Sequence, residues 1–445
     1  MEISQHARGH PGQRVKTMSS EKRQYGTIEE EQATLNLALK TLKEHCTVDN
    51  NFKTVATIAK ALKGGDKLAG SPLLSSNTNY AFKVYLEKQP KVALFCKVCH
   101  PYANWDPSQS HVPLARVENE FQALQRCLEI IGDDAPVATP YFCLELTVGA
   151  KMLVCEYVSS VEPLTRQFGQ GKVDQRVIPK LARAVALLNS ADIDPHFNEG
   201  VLATLQGVLE FGKNTIEKLA SSDGDGDDKA VVYFRELGGD RCRSIIAAMD
   251  EHFSHRDVFL HNDFVLLNVL VPSLPRPNAD VFICDFEMSI CGPIGKDVGC
   301  WKAFPIAFAL HHAAAGRKVE ALHMLDCCIQ FFDCYAKTCV KECSKKQEFL
   351  QEVFRSSLGW ISYWTLFVMY LFSGQILTSA ATFPIEGLSE EAKARARASL
   401  GYTGTLMAEI GFLNKNPNFT LEELRALFKK IVEDEIEELL AQSET

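Results

Sequence analysis

An abrupt change in hydrophobic pattern near residue 158 constrains the fold more than any other feature of the chain. Before it, the short runs NYAFKVYLE and KVALFCKVC carry alternating or β-branched apolar residues on either side of a Gln-Pro break. A period of two with a turn between the runs predicts a β-hairpin. Two further runs of this kind, YFCLELTVG and KMLVCEYVS, follow with Gly149 at the turn between them. The pattern therefore predicts a small sheet built from two hairpins.

A segment whose apolar residues have helical spacing lies between these hairpins, and the same spacing predominates in the rest of the chain. Apolar residues from Leu114 to Leu128 fall on one helical face, and VIPKLARAVALLNSA opens a mostly helical remainder. Two strand-like runs, VFLHNDFVLLNVLV and VFICDFEMSI, interrupt that remainder. We predict an α+β protein in which residues 1–26 form a disordered tail, 27–158 a small β-rich lobe and 159–445 a larger helical lobe. Any cleft is expected at the junction of the lobes.

Composition excludes several classes of protein. The 445 residues are 46% hydrophobic, and 47 basic and 56 acidic side chains give a net charge of −9. Without a basic stripe to follow phosphates, nucleic acid is not an expected partner. The start lacks the apolar segment of a secretory signal, although its basic residues leave a transit peptide open. The fifteen cysteines are then expected to be free thiols in a cytoplasmic protein.

One apolar stretch bears on whether the chain spans a membrane. No formal charge occurs between Arg355 and Glu386, and the segment includes LGWISYWTLFVMYLF. A membrane span needs about 20 mostly apolar residues. Here serine, tyrosine, threonine, glycine and glutamine interrupt the run, and basic clusters do not flank both ends. We predict a buried helix in preference to a membrane span.

The residues that suggest a chemistry lie in the two strand-like runs of the helical part. Asp263 is followed five residues later by Asn268, and Asp285 and Glu287 come in the next run. Phosphoryl transfer requires a carboxylate that receives the proton of the attacking hydroxyl and oxygen ligands for Mg²⁺. We interpret Asp263 as the base, and the other three as metal ligands. Asp and Asn also favour turns for conformational reasons, so either motif alone would also fit an ordinary turn.

Two upstream residues strengthen this interpretation. Lys97 lies in the middle of an apolar strand, where an unpaired ammonium group would be costly. Glu120, on the following predicted helix, can supply the partner. Kinases use such a pair to hold the α- and β-phosphates of the nucleotide.

With these residues in this order, the chain resembles the aminoglycoside phosphotransferase and choline kinase superfamily, and methylthioribose kinase in particular. DFEMSICGPIGKDVG is similar to that family's D-P-E-F-A-F-Y-G-P-M-G-F-D-I-G, in which G-P-x-G-x-D-x-G is the most specific part. RVENEFQAL is similar to R-A-Y-F-E-A-E-A-L, and SSNTNYAF resembles the phosphate-covering loop G-N-L-N-x-V-F. The resemblance covers residues 66–301.

The resemblance implies a bilobal protein-kinase-like fold, ATP and Mg²⁺ as cofactors, and a hydroxylated small molecule as substrate. In methylthioribose kinase that substrate is 5-methylthioribose, phosphorylated on its anomeric hydroxyl during methionine salvage. Asp297 would brace the catalytic loop, and a homodimer stays open. The positions that the resemblance assigns to the nucleotide are Ser76, Asn77 and Asn79 over the triphosphate, Lys97 with Glu120, and Glu156 with Tyr157 at the adenine.

The sequence also departs from the family pattern. Val265 and Leu266 make the catalytic loop more apolar, and Ser76 replaces a glycine that would allow close approach to phosphate. Ala408 and Glu409 stand where the family has a pair of arginines. These departures leave open another alcohol substrate, of the choline, aminoglycoside or ketoamine type. A pseudokinase that binds nucleotide without turnover is also left open.

Overall fold

The computed structural model describes most of the chain. The described residues are 28–47, 50–73, 79–103, 106–111, 113–146, 149–202, 206, 210, 239–273, 281–373, 388–413 and 419–443. The predicted tail, residues 1–26, and the candidate nucleotide residues Ser76 and Asn77 lie outside these ranges.

The small lobe is an antiparallel sheet with helices on both faces. Its strands are β1 Leu68–Pro72, β2 Asn79–Leu86, β3 Gln89–Cys99, β4 Tyr102–Ala103, β5 Asp106–His111, β6 Pro140–Leu146 and β7 Ala150–Glu156. Its helices are α1 Ile28–His45, α2 Lys53–Lys63 and α3 Ala115–Ile131. Five strands form the main sheet in the order β1-β2-β3-β7-β6, with every neighbouring pair antiparallel. Both predicted hairpins are present, and β1 adds an edge strand.

Alternation along β2 explains how this sheet is covered. Tyr80, Phe82 and Val84 are buried on one face, where they share a core with Leu35 of α1 and Ile58 of α2. The period-two pattern thus places a continuous apolar surface beneath these two helices. Helix α3 packs against β6 and β7. The strand residues between the buried positions remain available to form a cleft.

The larger lobe is mostly helical. Its helices are α4 Thr165–Gly169, α5 Val177–Ser190, α6 Gly239–Phe253, α7 Lys296–Ala314, α8 Lys318–Lys341, α9 Gln347–Ser373, α10 Glu390–Ala408 and α11 Leu421–Ser443. Short strands β8 Val161–Pro163, β9 Val258–Leu260, β10 Val269–Pro272, β11 Phe282–Ile283 and β12 Ile290–Gly292 lie between them, with single 3₁₀ turns at Glu199–Val201, Leu266–Asn268 and Phe286–Met288 and a π turn at Glu409–Leu413. The predicted α+β class, with a small antiparallel sheet and a larger helical part, is confirmed.

Helix α7 forms the centre of the larger lobe. Every one of its residues is buried, and helices α8, α9, α10 and α11 pack around it. A helix that is apolar on all sides must be enclosed by other elements. Its first turn follows the Gly-Pro-rich segment directly, so this fully buried helix begins beside the predicted catalytic loop.

The predicted strand pair in this lobe is shorter than the sequence pattern suggests. Strands β9 and β10 are separated by an irregular loop and a 3₁₀ turn, and β11 is separated from β12 in the same way. Asn262 and Asp285 interrupt the strands because their backbones are left-handed, with φ of 70° and 67°. Asn and Asp tolerate this conformation better than other non-glycine residues. The chemistry-bearing residues therefore lie on turns between very short strands.

The sequence contains two other local signals, a Thr-x-x-Glu spacing at Thr420 and Glu423, which predicts a capping box, and the uncharged stretch after Arg355. At Thr420 and Glu423, the backbone N of Glu423 donates to the threonine Oγ1 over 3.2 Å, and the backbone N of Thr420 donates to the glutamate Oε2 over 2.8 Å. This capping box at the start of α11 is confirmed.

In the uncharged stretch, Leu358, Trp360 and Ile361 of α9 are buried in the lobe. Over the part of the chain that the structure describes, none of the helices has the length and apolarity needed to cross a bilayer.

All fifteen cysteines belong to the described residues, and each is a free thiol. Most are buried among apolar side chains, as Cys96, Cys155 and Cys300 are. Buried free cysteines act as small hydrophobic residues. In this structure they fill the cores of both lobes.

The connection between the lobes is short. Strand β7 of the main sheet ends at Glu156, and β8 already pairs with β10 of the larger lobe. The division at residue 158 stays a prediction. The segment 157–160 is nevertheless where the chain passes from one sheet to the other.

The close packing of α7 against α9 generates a testable prediction. A Cβ at Gly299 would lie 2.6 Å from the Ser357 carbonyl oxygen and 2.6 Å from Trp360 Cβ. We expect Gly299→Ala to lower the free energy of unfolding by about 1–3 kcal/mol, since the two helices must separate. In an exposed helix the same change would stabilise by up to about 1 kcal/mol.

Urea denaturation followed by circular dichroism would measure the effect of Gly299→Ala. Gly200→Ala is the matched control, because its Cβ would meet Ala115 Cβ at an ordinary 3.6 Å. Equal stability of the two variants would contradict this prediction, because α7 and α9 would then accommodate the added methyl group without a loss of stability.

Candidate active site

A cavity of about 440 Å³ lies between the main sheet and the larger lobe. One end is apolar, and the other end carries charged and amide side chains. The apolar lining is Leu73, Ala81, Phe95, Leu153, Cys155, Leu270, Phe282 and Ile283, and the polar end is Asn79, Lys97, Glu120, Asn268 and Asp285. A ligand with a flat apolar part and an anionic part matches this division.

Lys97 lies at the polar end of the cavity. It is in the middle of β3, paired in register with Ala81 of β2 and Leu153 of β7, and is only 6% exposed. Its Nζ lies 2.7 Å from Glu120 Oε2 and 2.9 Å from Glu287 Oε2, and it also contacts Asp285 Oδ1. The structure thus contains the expected pair with Glu120, together with two carboxylates from the larger lobe.

The carboxylates around Lys97 shift the pKa of the lysine and of one another. Burial alone would lower the pKa of Lys97, but Asp285, Glu120 and Glu287 together raise it well above its usual value. Burial raises the pKa of Glu120 to about 7, since the Lys97 ammonium only partly offsets desolvation and the other two carboxylates. Lys97 contacts all three carboxylates, and with Arg116 near Glu287 the group still holds more carboxylates than cations.

Glu287 is held by donors from the small lobe. The Nδ2 of Asn79 donates to its Oε2 over 3.1 Å, and the Arg116 guanidinium lies 4.0 Å from its Oε1. Asn119 Nδ2 donates to the Glu287 backbone carbonyl over 3.4 Å. Asn79 and Glu287 are both buried, whereas Asp285 keeps 31% of its side chain exposed. Of these two carboxylates, Asp285 is the more accessible from the cleft.

The loop that carries Asp263 is fixed by Asp297 at the start of α7. Asp297 Oδ2 accepts the backbone N–H of His261 over 2.8 Å, and its Oδ1 accepts that of Asn262 over 2.9 Å. This is the bracing contact expected of Asp297. The Nδ2 of Asn268 donates to Asp263 Oδ2 over 3.0 Å and to the Asp263 carbonyl over 3.0 Å. Asn268 therefore orients the Asp263 carboxylate, and Asp297 holds the backbone that precedes it.

Burial raises the pKa of Asp263 to about 7, and the nearby Asp285 carboxylate raises it further than the Asn268 hydrogen bond lowers it. A carboxyl group of this kind exchanges its proton near neutral pH. Among the candidate residues, Asp263 thus has the acid–base property that a general base requires.

His261 connects this loop to the turn containing Asp285. Its Nδ1 accepts the backbone N–H of Asp263 over 3.3 Å, so Nε2 carries the proton that is donated to the Cys284 carbonyl over 2.9 Å. Burial lowers the pKa of His261 to about 4, which keeps the ring neutral at physiological pH. The ring also packs against Phe286, with centroids 4.3 Å apart.

Glu156 and Tyr157 line the apolar end of the cavity, at the end of β7. The backbone N–H of Glu156 donates to the Thr139 carbonyl over 2.9 Å, and its Oε2 accepts the Thr139 hydroxyl over 3.2 Å. That N–H is therefore already hydrogen-bonded within the protein and does not donate to a ligand. Lys83 Nζ lies 4.9 Å from the centre of the Tyr157 ring.

The departures from the family pattern have structural counterparts. Val265 and Leu266 are buried in the core of the larger lobe, so the apolar loop residues serve packing. Ala408 is buried at the end of α10. Glu409 is bound by Arg241 of α6.

Sequence reasoning missed Lys296. This lysine is 5% exposed, donates to Asn262 Oδ1, and lies 5.3 Å from the Trp360 ring centre. Burial lowers its pKa to about 8, although Asp297 raises it. A lysine among the apolar residues after the Gly-Pro segment was the available signal, and it marks a second support for the Asp263 loop.

The residues present fit a divalent cation. Carboxylate oxygens of Glu120, Asp285 and Glu287 lie within 4.8 Å of one another, and Asn268 adds an amide at the same end of the cavity. Carboxylate and amide oxygens are ligands that Mg²⁺ accepts. The excess negative charge here is of the sign that a cation would offset.

The raised pKa of Asp263 predicts an effect on stability. A carboxyl group whose pKa rises from about 4 to about 7 on folding destabilises the native state progressively as pH rises through that interval. We expect Asp263→Asn to raise the free energy of unfolding at pH 8 by at least about 1 kcal/mol, and the gain to shrink towards pH 5.

Thermal and urea unfolding at pH 5 to 8 would test the effect of Asp263→Asn. Asp326→Asn, at an exposed position on α8, is the control and should change little. An Asp263→Asn protein no more stable than the wild type at pH 8 would contradict the assignment.

No family model matches the chain, and neither does any curated protein. Among solved structures, the chain is similar to a Plasmodium vivax ethanolamine kinase, with 11% identity and a TM-score of 0.40 over 88% of this chain and 95% of that one. It is similar to a glucosamine kinase, with 12% identity and a TM-score of 0.40 over 80% of this chain and 81% of that one. An aminoglycoside-3'-phosphotransferase of type VIII matches with 15% identity and a TM-score of 0.34, over 67% and 96% of the two chains.

Proposed function

We propose that the protein is an ATP- and Mg²⁺-dependent kinase that phosphorylates a hydroxyl group of a small molecule. The observation that carries this proposal is that Lys97, Glu120, Asn268 and Asp285 lie at one end of a cleft whose other end is apolar. Asp263 is hydrogen-bonded to Asn268 at that same end. Phosphoryl transfer depends on positioning and charge compensation, which this set of groups can supply.

The nucleotide would lie along the cavity. Its adenine fits the apolar end, near Leu153 and Phe282, and its phosphates fit the end that carries Lys97. Glu120 holds the Lys97 ammonium in place over 2.7 Å, so the lysine is oriented before a phosphate arrives. Glu156 and Tyr157 would flank the adenine, with the Glu156 N–H excluded as a donor because Thr139 already binds it.

Asp285, Glu287 and Asn268 would hold Mg²⁺, which supplies charge neutralisation at the phosphates when bound. Asp285 is the most exposed of the carboxylates and is expected to contribute most. Glu287 is shared with Lys97 and Asn79, so part of its role is to connect the lobes.

Asp263 would receive the proton of the acceptor hydroxyl. Its carboxylate is oriented by Asn268, and its backbone is held by the loop that Asp297 braces. Because burial brings its pKa to about 7, it is partly deprotonated at neutral pH and can take a proton during transfer.

The first candidate for the acceptor is 5-methylthioribose or a related sugar, on the strength of the G-P-x-G-x-D-x-G segment. The excess of carboxylates at the catalytic end favours a second candidate. A cationic acceptor, such as an amino alcohol or an aminoglycoside, would be attracted to this end of the cleft.

Activity measurements would test the proposal directly. The wild-type protein, supplied with ATP and Mg²⁺, is expected to release ADP with one member of a panel of methylthioribose, choline and aminoglycosides. Asp263→Asn should lose at least about 100-fold in kcat, and Lys97→Met and Asp285→Asn should also lose activity. Asp326→Asn, remote from the cleft, should retain it.

Each outcome has a distinct meaning. Turnover of choline or an aminoglycoside but not methylthioribose would reject the sugar and keep the kinase. Nucleotide binding without turnover of any substrate would favour a pseudokinase. Full activity of Asp263→Asn would exclude Asp263 as the base.

The pH dependence gives a further prediction. We expect kcat/KM for an uncharged sugar to rise with pH and to level off above about 7, as Asp263 loses its proton. The residual activity of Asp263→Asn should lack this rise. A wild-type profile that is flat between about pH 5 and 8 would contradict the role of Asp263.

A further inference from the structure

The 3₁₀ turn Phe286–Met288 ends in backbone carbonyl groups that the turn itself does not bind. The backbone N–H of Ser289 donates to the Phe286 carbonyl over 3.0 Å and closes the single turn. The last carbonyl groups of a helical turn have no N–H donor within it. Because Glu287 and Ser289 are buried, the carbonyl groups of this segment need donors from other parts of the protein.

Three asparagine side chains from separate segments bind three consecutive carbonyl groups, those of residues 287, 288 and 289. The donor is Nδ2 in each case, and the pairs are Asn119 with Glu287 over 3.4 Å, Asn262 with Met288 over 3.0 Å and Asn198 with Ser289 over 3.1 Å. Asn119 belongs to α3 of the small lobe, Asn198 precedes the 3₁₀ turn Glu199–Val201, and Asn262 precedes Asp263. We call Asn119, Asn198 and Asn262 the asparagine clamp.

The backbone at two members of the asparagine clamp suits this residue type. Asn198 and Asn262 are left-handed, with φ of 61° and 70°. Asparagine adopts this conformation more readily than most other non-glycine residues, although it still costs free energy. The Nδ2 of Asn198 also donates to the Asn119 carbonyl over 3.5 Å, so two members of the clamp contact each other. Both left-handed positions are thus held where their amide groups meet the segment 287–289.

Lys296 fixes the orientation of the Asn262 amide. Its Nζ donates to Asn262 Oδ1, whereas the Nδ2 of the same amide donates to the Met288 carbonyl. An ammonium group has donors only, so the oxygen end of the amide must face Lys296 and the nitrogen end must face the turn. The lysine is enclosed, with ring centres of Phe253 and Trp360 at 5.1 and 5.3 Å from its Nζ. Lys296 therefore acts on the turn through Asn262.

We propose that the asparagine clamp positions the carboxylates of Asp285 and Glu287 for a divalent cation. This role rests on the proposed function, in which these two residues hold Mg²⁺. Glu287 belongs to the clamped segment, and Asp285, with its own left-handed backbone, directly precedes the turn. The clamp binds backbone carbonyl groups here, so its members are positioning residues. Loss of a residue that orients a metal ligand typically costs about 10–100-fold in metal affinity.

Hydrogen exchange of the metal-free protein would test the clamp itself. Asn198→Gly and Asn262→Gly remove the amide groups and leave a residue that adopts a left-handed backbone without strain. In each variant we expect the amide hydrogens of residues 286–292 to exchange about tenfold faster, because a buried hydrogen bond to this segment is lost. Ser344→Gly is the matched control and should not change this exchange, since Ser344 is left-handed at φ 54° but exposed beyond α8.

Binding of Mn²⁺ in the presence of ADP would test the positioning role. Mn²⁺ accepts the oxygen ligands that Mg²⁺ accepts, and its binding is measured by electron paramagnetic resonance. We expect Asn198→Gly and Asn262→Gly to raise the Kd of Mn²⁺ at least about tenfold, and Ser344→Gly to leave it unchanged. With an accepted substrate, the two asparagine variants should need more Mg²⁺ for half-maximal activity and lose kcat, whereas KM for the acceptor should not change.

The outcomes separate the clamp from the proposed function. Unchanged exchange in both asparagine variants would overturn the clamp, and faster exchange with an unchanged Kd for Mn²⁺ would overturn its positioning role. Wild-type protein that binds neither Mn²⁺ nor nucleotide would reject the proposed function and, with it, this role. The exchange measurement needs neither metal nor turnover, so the two failures are distinguishable. The two asparagines lie on separate segments, and one variant remains informative if the other fails to fold.

Discussion

The ammonium group of Lys97 joins the two lobes. It is carried by a strand of the small lobe, and it contacts Glu120 from the adjoining helix and Asp285 and Glu287 from the larger lobe. Without it, three carboxylates would face one another in a buried space, and their repulsion would separate the elements that form the cleft. Asn79 and Arg116 support the same contact from the small lobe. Lys97 is thus the central contact between the sheet and the larger lobe at the cleft.

The electrostatic state of the site is unfavourable for stability. Burial brings the pKa values of Asp263 and Glu120 to about 7, which means that their charged forms are opposed by their surroundings. The larger lobe offsets this cost through extensive apolar packing around α7. The same helix holds the Asp263 loop through Asp297 and Lys296. A destabilising site is therefore attached to a helix that is buried along its whole length.

Sequence patterns predicted much of this organisation because the signals were local. The two hairpins, the helix between them and the capping box at Thr420 follow from periodicity and from residues within a few positions of each other. The bracing contact of Asp297 came from a family motif. The left-handed backbones of Asn262 and Asp285, and the use of the Glu156 N–H by Thr139, depend on neighbours that fold against them.

His261 links two loops that come from different strands. Its ring uses both nitrogens, one towards Asp263 and the other towards Cys284, and its face rests on Phe286. A displacement of the turn that carries Asp285 therefore pulls on the loop that carries Asp263. The positions of the Asp263 and Asp285 loops are therefore coupled through one side chain, and this coupling lies entirely within the larger lobe.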